Sequence, residues 1–430
     1  MKKSLIALAA LAATGAFAQS SVTLYGTLDM GFGTINHAAG VDAYNSAAAG
    51  VQPTNGTSVA KGAVTGLMGN NTVASRWGIK GVEDMGGGLK ANFTLESAVQ
   101  VASGAVPNGK VNDSMPNTNS TTMINGEGSY TGALFEREAT LGLEGGFGSV
   151  KLGRQLTVNA DAVGAYDPMR AGFAVSPLGF NGGYSGGGFT GEARWDSSLK
   201  YAYAMNNGLT FKFGYKNGLQ PGNTDVGRGL AASAEYNQGP WGMILSAVQN
   251  KDAMLFSNGG GTVATTATPS ANVYVPGLAA KVADTDAFTL GFRLTQGALT
   301  YKAGYEQIKF KNPSNSYYAG VTSFSAYGIP VNTIVTNGYD DQLTQKVYWI
   351  GANWQVSAPL ELSAAYYNRK DDRAIAGNVG DAKYTSFMAN YALSKRTKLY
   401  ATANFTKVTG TAWGGAPNLN VFTTGVVHSF

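Results

Sequence analysis

Three short stretches carry residue types at spacings that could do covalent chemistry. Gly183-Tyr-Ser185-Gly-Gly187 has the G-x-S-x-G spacing that lifts a serine hydroxyl out of a strand-to-helix turn, and that chemistry needs a histidine base. The chain has two histidines, His37 in a long polar stretch and His428 near the end, and the serine lies in a glycine-rich loop. Ser197-Ser-Leu-Lys200 imitates S-x-x-K, but it sits on a segment with strand periodicity, whereas the active serine of such sites opens a helix. Gly104 to Gly109-Lys110 has the outline of a phosphate loop, yet Val111 stands where Ser or Thr must hold the metal and Pro107 interrupts it. With no cysteine there is no thiol nucleophile, disulfide or thiolate zinc site. Two isolated histidines suggest no metal site, and nothing calls for a cofactor. The expectation is a protein that is not an enzyme.

What remains is charge. Lys, Arg, Asp and Glu make up 13% of 430 residues while aromatics reach 11%, about half the usual charge of a soluble domain. An apolar content of 44% is too high for disorder. A mean hydropathy of −0.09, with no apolar run near the roughly 20 residues of a spanning helix, excludes a helical membrane protein.

The elements that must position those charges have a period of two. Val22, Leu24, Leu28, Met30 and Phe32 share one face, with Thr23, Thr27 and Asp29 on the other. Phe288, Leu290, Phe292 and Leu294 alternate with Thr289, Arg293 and Thr295; Leu299, Tyr301, Ala303 and Tyr305 alternate with Thr300, Lys302 and Glu306. These are strands with one greasy and one wet face. Several run to membrane-spanning length, about 9–11 residues. Tight turn signals recur at Asp84–Gly88, Gly145–Gly148, 206–208, 238–240, 296–297, 357–359 and 394–396. Between them lie long polar stretches near 35–71, 102–131, 157–192, 218–228, 251–285, 311–343, 371–382 and 409–419. Seven turns and eight loops join sixteen strands, the pattern of an antiparallel transmembrane β-barrel. Segments 241–250 and 346–356 carry apolar residues on both faces. Either they are covered by another subunit or an infolded loop, or their register differs from simple alternation.

Lys2 and Lys3, an apolar stretch from Leu5 to Ala13 and Ala16-Phe17-Ala18 form a secretory leader. Residues 1–18 are expected to be removed, leaving 19–430 as one barrel domain. That chain keeps 29 basic against 26 acidic residues, or +3, too dilute for nucleic acid. At the other end, His428, Val426 and Phe422 fall at two-residue steps before the terminal Phe430. An aromatic there suits the interfacial girdle.

The segments Val22-Thr-Leu-Tyr-Gly-Thr-Leu-Asp29, Ser75-Arg-Trp-Gly-Ile-Lys-Gly-Val-Glu-Asp-Met85, Leu141-Gly-Leu143 through Leu152-Gly-Arg154, and His428-Ser-Phe430 resemble the general diffusion porins of Gram-negative bacteria, most closely their β-proteobacterial branch. The resemblance implies a homotrimer of 16-stranded barrels in outer-membrane lipid and lipopolysaccharide. The third external loop would fold into each pore, and small ions and hydrophilic solutes would cross passively. It also implies that Phe430 is the assembly signal read by the barrel insertion machinery. The runner-up readings are a solute-specific porin with a saturable site and a secreted soluble β-protein.

In that family, wall arginines face an acidic loop across the constriction. The resemblance carries those arginines onto Arg76, Arg137 and Arg194, with Arg154 able to join. Alternation places Arg76 and Lys80 opposite Trp77 and Ile79, and Arg194 and Asp196 opposite Trp195 and Leu199, while Arg137 has the apolar two-step neighbours Ala139 and Leu141. Where such porins carry an acidic Pro-Glu-Phe-Gly-Gly stretch, this chain has Pro177-Leu-Gly-Phe-Asn-Gly-Gly183. Asp161 and Asp167 are the acids between 157 and 190, and Arg170 offsets one. Rings of basic residues select anions, so an anion-preferring channel is expected. Asp29 and Glu96, inward-facing acids, are the residues that would oppose it.

Overall fold

The structure is a computed structural model. It describes residues 21–39, 61–102, 104, 123–125, 134–180, 194–218, 225, 227–251, 254–257, 261–264, 272–275, 279–281, 284–311, 318–319, 325–326, 329–330, 343–373, 380–410 and 420–430. The leader 1–18, the Gly183–Gly187 stretch and Lys110 lie outside the described residues.

The period-two segments form sixteen wall strands. They are β1 (Ser21–Ala39), β2 in two segments (Lys61–Gly69 and Arg76–Gly86), β3 (Leu89–Ala98), β4 (Glu138–Gly145), β5 (Gly148–Leu156), β6 (Arg194–Ala204), β7 (Leu209–Lys216) and β8 (Gly229–Gln238). The circuit continues through β9 (Trp241–Asn250), β10 (Asp284–Gln296), β11 (Leu299–Lys311), β12 (Leu343–Gln355), β13 (Leu360–Arg373), β14 (Gly380–Ala392), β15 (Thr397–Gly410) and β16 (Asn420–Ser429). Each pairs antiparallel with its sequence neighbours. β16 closes on β1 from Thr27↔Ser429 to Asn36↔Asn420, and Gly26 and Phe430 exchange backbone hydrogen bonds at 3.1 Å. Closure satisfies the last sheet edge, which in lipid would otherwise leave each backbone group several kcal/mol uncompensated.

The cross-strand register fixes two faces. Leu141, Leu152, Phe211, Leu245, Leu290, Ile350, Phe387 and Phe405 are exposed on the outward one, and their positions alternate with Thr, Ser, Asn and charged residues inside. That is an inverted sheet, greasy outside and polar within. All seven expected turns are present. At Gly208, φ of +87° sits in the left-handed region that a side chain disfavours. At the β14–β15 turn Ser394 Oγ accepts from the amides of Arg396 (3.1 Å) and Thr397 (3.0 Å).

One expected loop is partly strand. Residues 61–69 continue β2 along the upper half of β1, Met30↔Gly69 to Ala39↔Lys61, while Arg76–Val82 pairs with its lower half. Between them the strand breaks at Asn70, φ +61°. Asp29 organises the break. Its Oδ2 accepts from the Thr72 amide (2.6 Å), Thr72 Oγ1 (2.9 Å) and the Val73 amide (3.0 Å), and Tyr400 OH donates to its Oδ1 at 2.8 Å. Asp29 is fully buried. It faces inward as expected, but it is consumed by the wall instead of presenting charge to solutes.

Candidate pore constriction

After β5 the chain enters helix α1 (Val158–Tyr166), capped by Thr157, whose side chain accepts from the Ala160 amide at 3.1 Å. The helix lies on the inward faces of β8–β11. Ala162 and Tyr166 pack on Ile244 of β9. A Cβ on Gly291 of β10 would lie 2.6 Å from Tyr166 Cγ, so a glycine is what lets the ring sit there. Asn159 donates to Glu306 at 2.7 Å and accepts from Thr289 Oγ1 at 2.7 Å, so the buried polar atoms of this contact hold one another. The two-faced apolar strands are thereby explained. Ile244 and Val248 of β9, and Val347 and Trp349 of β12, are inward residues buried in the described structure, and Trp349 Nε1 donates to the Tyr166 carbonyl at 3.0 Å. The infolded loop packs on Ile244 and bonds Trp349.

The Tyr166 hydroxyl donates to Glu235 at 3.2 Å. Burial, then the neighbouring Glu235 charge, pushes its pKa up, so it stays a neutral donor.

Beyond α1 the chain turns on Asp167. This carboxylate is fully buried. It accepts from the amides of Met169 (3.1 Å) and Ala171 (2.6 Å), from Ser176 Oγ (2.7 Å) and from the Tyr367 hydroxyl of β13. Lys302 Nζ donates to its carbonyl at 3.1 Å, and Asn353 Nδ2 to that of Pro168 at 2.9 Å. Past a short helix-like turn the Ala174 amide reaches the Asn71 carbonyl at the β2 break, 2.8 Å. The segment is thus fastened to β9–β13 on one side and to β2 on another. Helix α2 (Pro177–Phe180) follows.

The wall β2–β4 holds the charged cluster. Glu96 of β3 accepts from Tyr25 OH at 3.0 Å and pairs with Arg76 Nε at 3.3 Å and Arg137 Nε at 2.7 Å. Arg194 opens β6, opposite Leu156 of β5 in the register. Lys80 stands over the Tyr25 ring, 5.1 Å from its centroid, a cation–π geometry. Two guanidinium groups therefore pair with Glu96, while Glu138, opposite it in the register, takes Lys151 at 3.4 Å and Glu136 accepts from the Ala98 amide at 2.7 Å. In a narrow low-dielectric passage such an excess is felt over a longer range than in water.

The remaining expected residues divide. Asp161, in the first turn of α1, pairs with Lys200 Nζ (3.1 Å) and Lys212 Nζ (3.2 Å), two cations for one acid. Arg170 pairs with Glu361 Oε2 at 2.7 Å, on β13 and not beside Glu96. Arg154 bonds Asp196 at 2.5 Å and the Glu136 carbonyl. It ties strands together and is no part of the Glu96 group. Arg137 reaches Glu96 because it precedes β4, where alternation has no hold. The expected placing of Trp195 is reversed. A bulge at Ser197, φ +47°, turns Trp195 inward over Gly214, Gly229 and Val158, 2% exposed. Sequence reasoning did not single out Tyr25, Tyr367 or Trp349 as site residues. Lys200, Lys212 and Lys302 carried a signal in their wet-face positions.

A closed barrel with an apolar belt outside and paired charges inside is matched by one family model. Its description is Gram-negative porin, and it covers residues 4–411. The chain is a Gram-negative porin. It is 31% identical to outer membrane porin protein 32 of Delftia acidovorans over 335 residues, 75% of this chain and 76% of that one. It is 28% identical to an outer membrane porin protein of Bordetella pertussis over 438 residues, 95% and 94% of the two chains. Among solved structures its fold is similar to an anion-selective porin from Comamonas acidovorans, TM-score 0.63 at 22% identity, covering 96% of this chain and all of that one. The porin is a passive diffusion channel for small hydrophilic solutes in the Gram-negative outer membrane, and not an enzyme. The secreted soluble reading is thereby set aside.

Proposed function

We propose that this porin prefers anions, and that the segment 157–180 narrows the channel opposite the Glu96 cluster. One observation carries the reading: around Glu96 the cations outnumber the acid, while both acids of the infolded segment are occupied. Asp161 is held between two lysines, and Asp167 spends its lone pairs on the turn and on Tyr367. Neither offsets the arginines. The anion selectivity named for the Comamonas structure is consistent with this reading.

The porin acts as a homotrimer. Strands β3–β9 run 8–11 residues, whereas β10–β15 run 13 or 14. A wall this uneven suits a barrel whose low side is shielded by partner subunits and whose tall side meets lipopolysaccharide. Residues 1–18 act as the cleaved leader, and the Phe430 strand is what the insertion machinery reads. The experiment is the zero-current potential of reconstituted porin across a KCl gradient. Chloride preference is expected, and potassium preference would overturn the proposal.

A further inference from the structure

On the outer face of the tall side, a row of cations stands above the apolar belt. Strands β11, β13, β14 and β15 carry the exposed lysines Lys309, Lys370, Lys383 and Lys407, and β12 carries the half-buried Lys346. Alternation puts each on the face of its strand's exposed apolar residues. Tyr301, Trp354, Leu362, Tyr391 and Leu399, all exposed, lie eight residues nearer the short turns on the same five strands. Eight residues rise about 26 Å along a strand, which after tilt spans most of an apolar band about 25 Å tall. The five ammonium groups therefore share one level, at the loop end of the band. The short turns mark the periplasmic side, so that level belongs to the outer leaflet. A lysine there lays its stem on the apolar wall and keeps its charge at the headgroups.

The register sets these lysines side by side. Lys383 stands directly opposite Lys407, and Lys346 opposite Lys370. Like charges so placed destabilise a sheet unless an anion lies between them. Four acids share the outer positions of this region. Asp284 and Asp286 of β10 pair with Lys251 and Lys311, and Asp372 pairs with Lys346 at 3.0 Å. Asp381 stands opposite Lys370 and two residues beyond Lys383. Among the described residues it is thus the one acid left for Lys309, Lys370, Lys383 and Lys407, and none of those four is in an ion pair.

We propose that Lys370, Lys383 and Lys407, flanked by Lys309, form a lipid-phosphate site that holds the headgroup phosphates of lipopolysaccharide against the outer wall. The proposal rests on the reading of the tall side as the one that meets lipopolysaccharide. A phosphate lodged between the opposed Lys383 and Lys407 accepts charge-assisted hydrogen bonds from both and removes their repulsion. Beneath it Phe387 of β14 and Phe405 of β15, both exposed, offer an apolar surface to the acyl chains. Cations above and an apolar wall below, on the same strands, match an anionic lipid from head to tail.

The test titrates the full-length porin, folded in detergent free of lipopolysaccharide, with purified lipopolysaccharide and with the same lipid stripped of its phosphates. The phosphorylated lipid should bind, and loss of the phosphates should weaken binding roughly tenfold. The double variant Lys383→Gln/Lys407→Gln should lose about as much. Lys395→Gln, in the β14–β15 turn at the other end of the barrel, should bind as the wild type does. Equal binding of the two lipids overturns the site while sparing the reading of the tall side as lipid-facing. A double variant that binds like the wild type does the same. If the double variant instead loses its trimer in detergent alone, the row is a subunit contact, and both readings fall.

Discussion

The inward face of this barrel does two different jobs. Along β2–β4 it carries charged side chains toward the lumen: Arg76, Lys80 and Glu96, with Arg137 joining from the loop end. Along β9–β13 it is the floor on which the infolded segment rests, built from Ile244, Val248, Ile308, Val347, Trp349 and Tyr367, all buried. Both faces alternate with a lipid-facing set, so the strands are built alike. The difference teaches that a barrel interior can hold a second small core wherever a loop is to be fixed, and that the wall opposite can carry charge instead.

The largest effect is expected from releasing the covered side. Asp167→Ala would strip four neutral donors of their acceptor, at a cost of about 1–3 kcal/mol for each one left buried and unsatisfied. The turn should loosen from Tyr367, and single-channel recordings should show larger, noisier conductance; unchanged conductance would mean that the segment does not limit the pore.

A middle effect belongs to the β2–β4 wall. Removing one unit of positive charge near the path in Arg137→Ala should lower the chloride-to-potassium permeability ratio about fivefold, roughly 1 kcal/mol after screening. The change should shrink in concentrated salt. The smallest effect has the opposite sign. Asp161→Asn leaves Lys200 and Lys212 without their shared acid, and chloride preference should rise by roughly twofold. A fall would show that Asp161 acts on solutes instead of on its lysines.

Most of the wall was legible. Period-two alternation and turn chemistry located the strands, and the wet-face positions of Arg76 and Glu96 put both in the lumen. The covered side was harder to read, for three physical reasons. Helix α1 buries Val158, Asn159, Ala160, Ala162, Val163 and Tyr166 on several sides at once, so it has no single apolar stripe to reveal it. Trp195 lies beyond a bulge, where counting by twos fails. The role of Asp29 depends on the β2 break at 70–75 and on Tyr400, far away in sequence, so no local pattern marks it. Arg137 was equivocal for a simpler reason: it stands one residue before its strand.

The central claim is that the excess of guanidinium over carboxylate at Glu96 sets what crosses. Its most direct test is the zero-current potential, across one fixed KCl gradient, of the wild-type porin beside an Arg76→Ala/Arg137→Ala double variant that still assembles. That variant leaves Glu96 without its two close cations, so the potential should move from chloride preference toward or past zero. A double variant as chloride-preferring as the wild type would contradict the account.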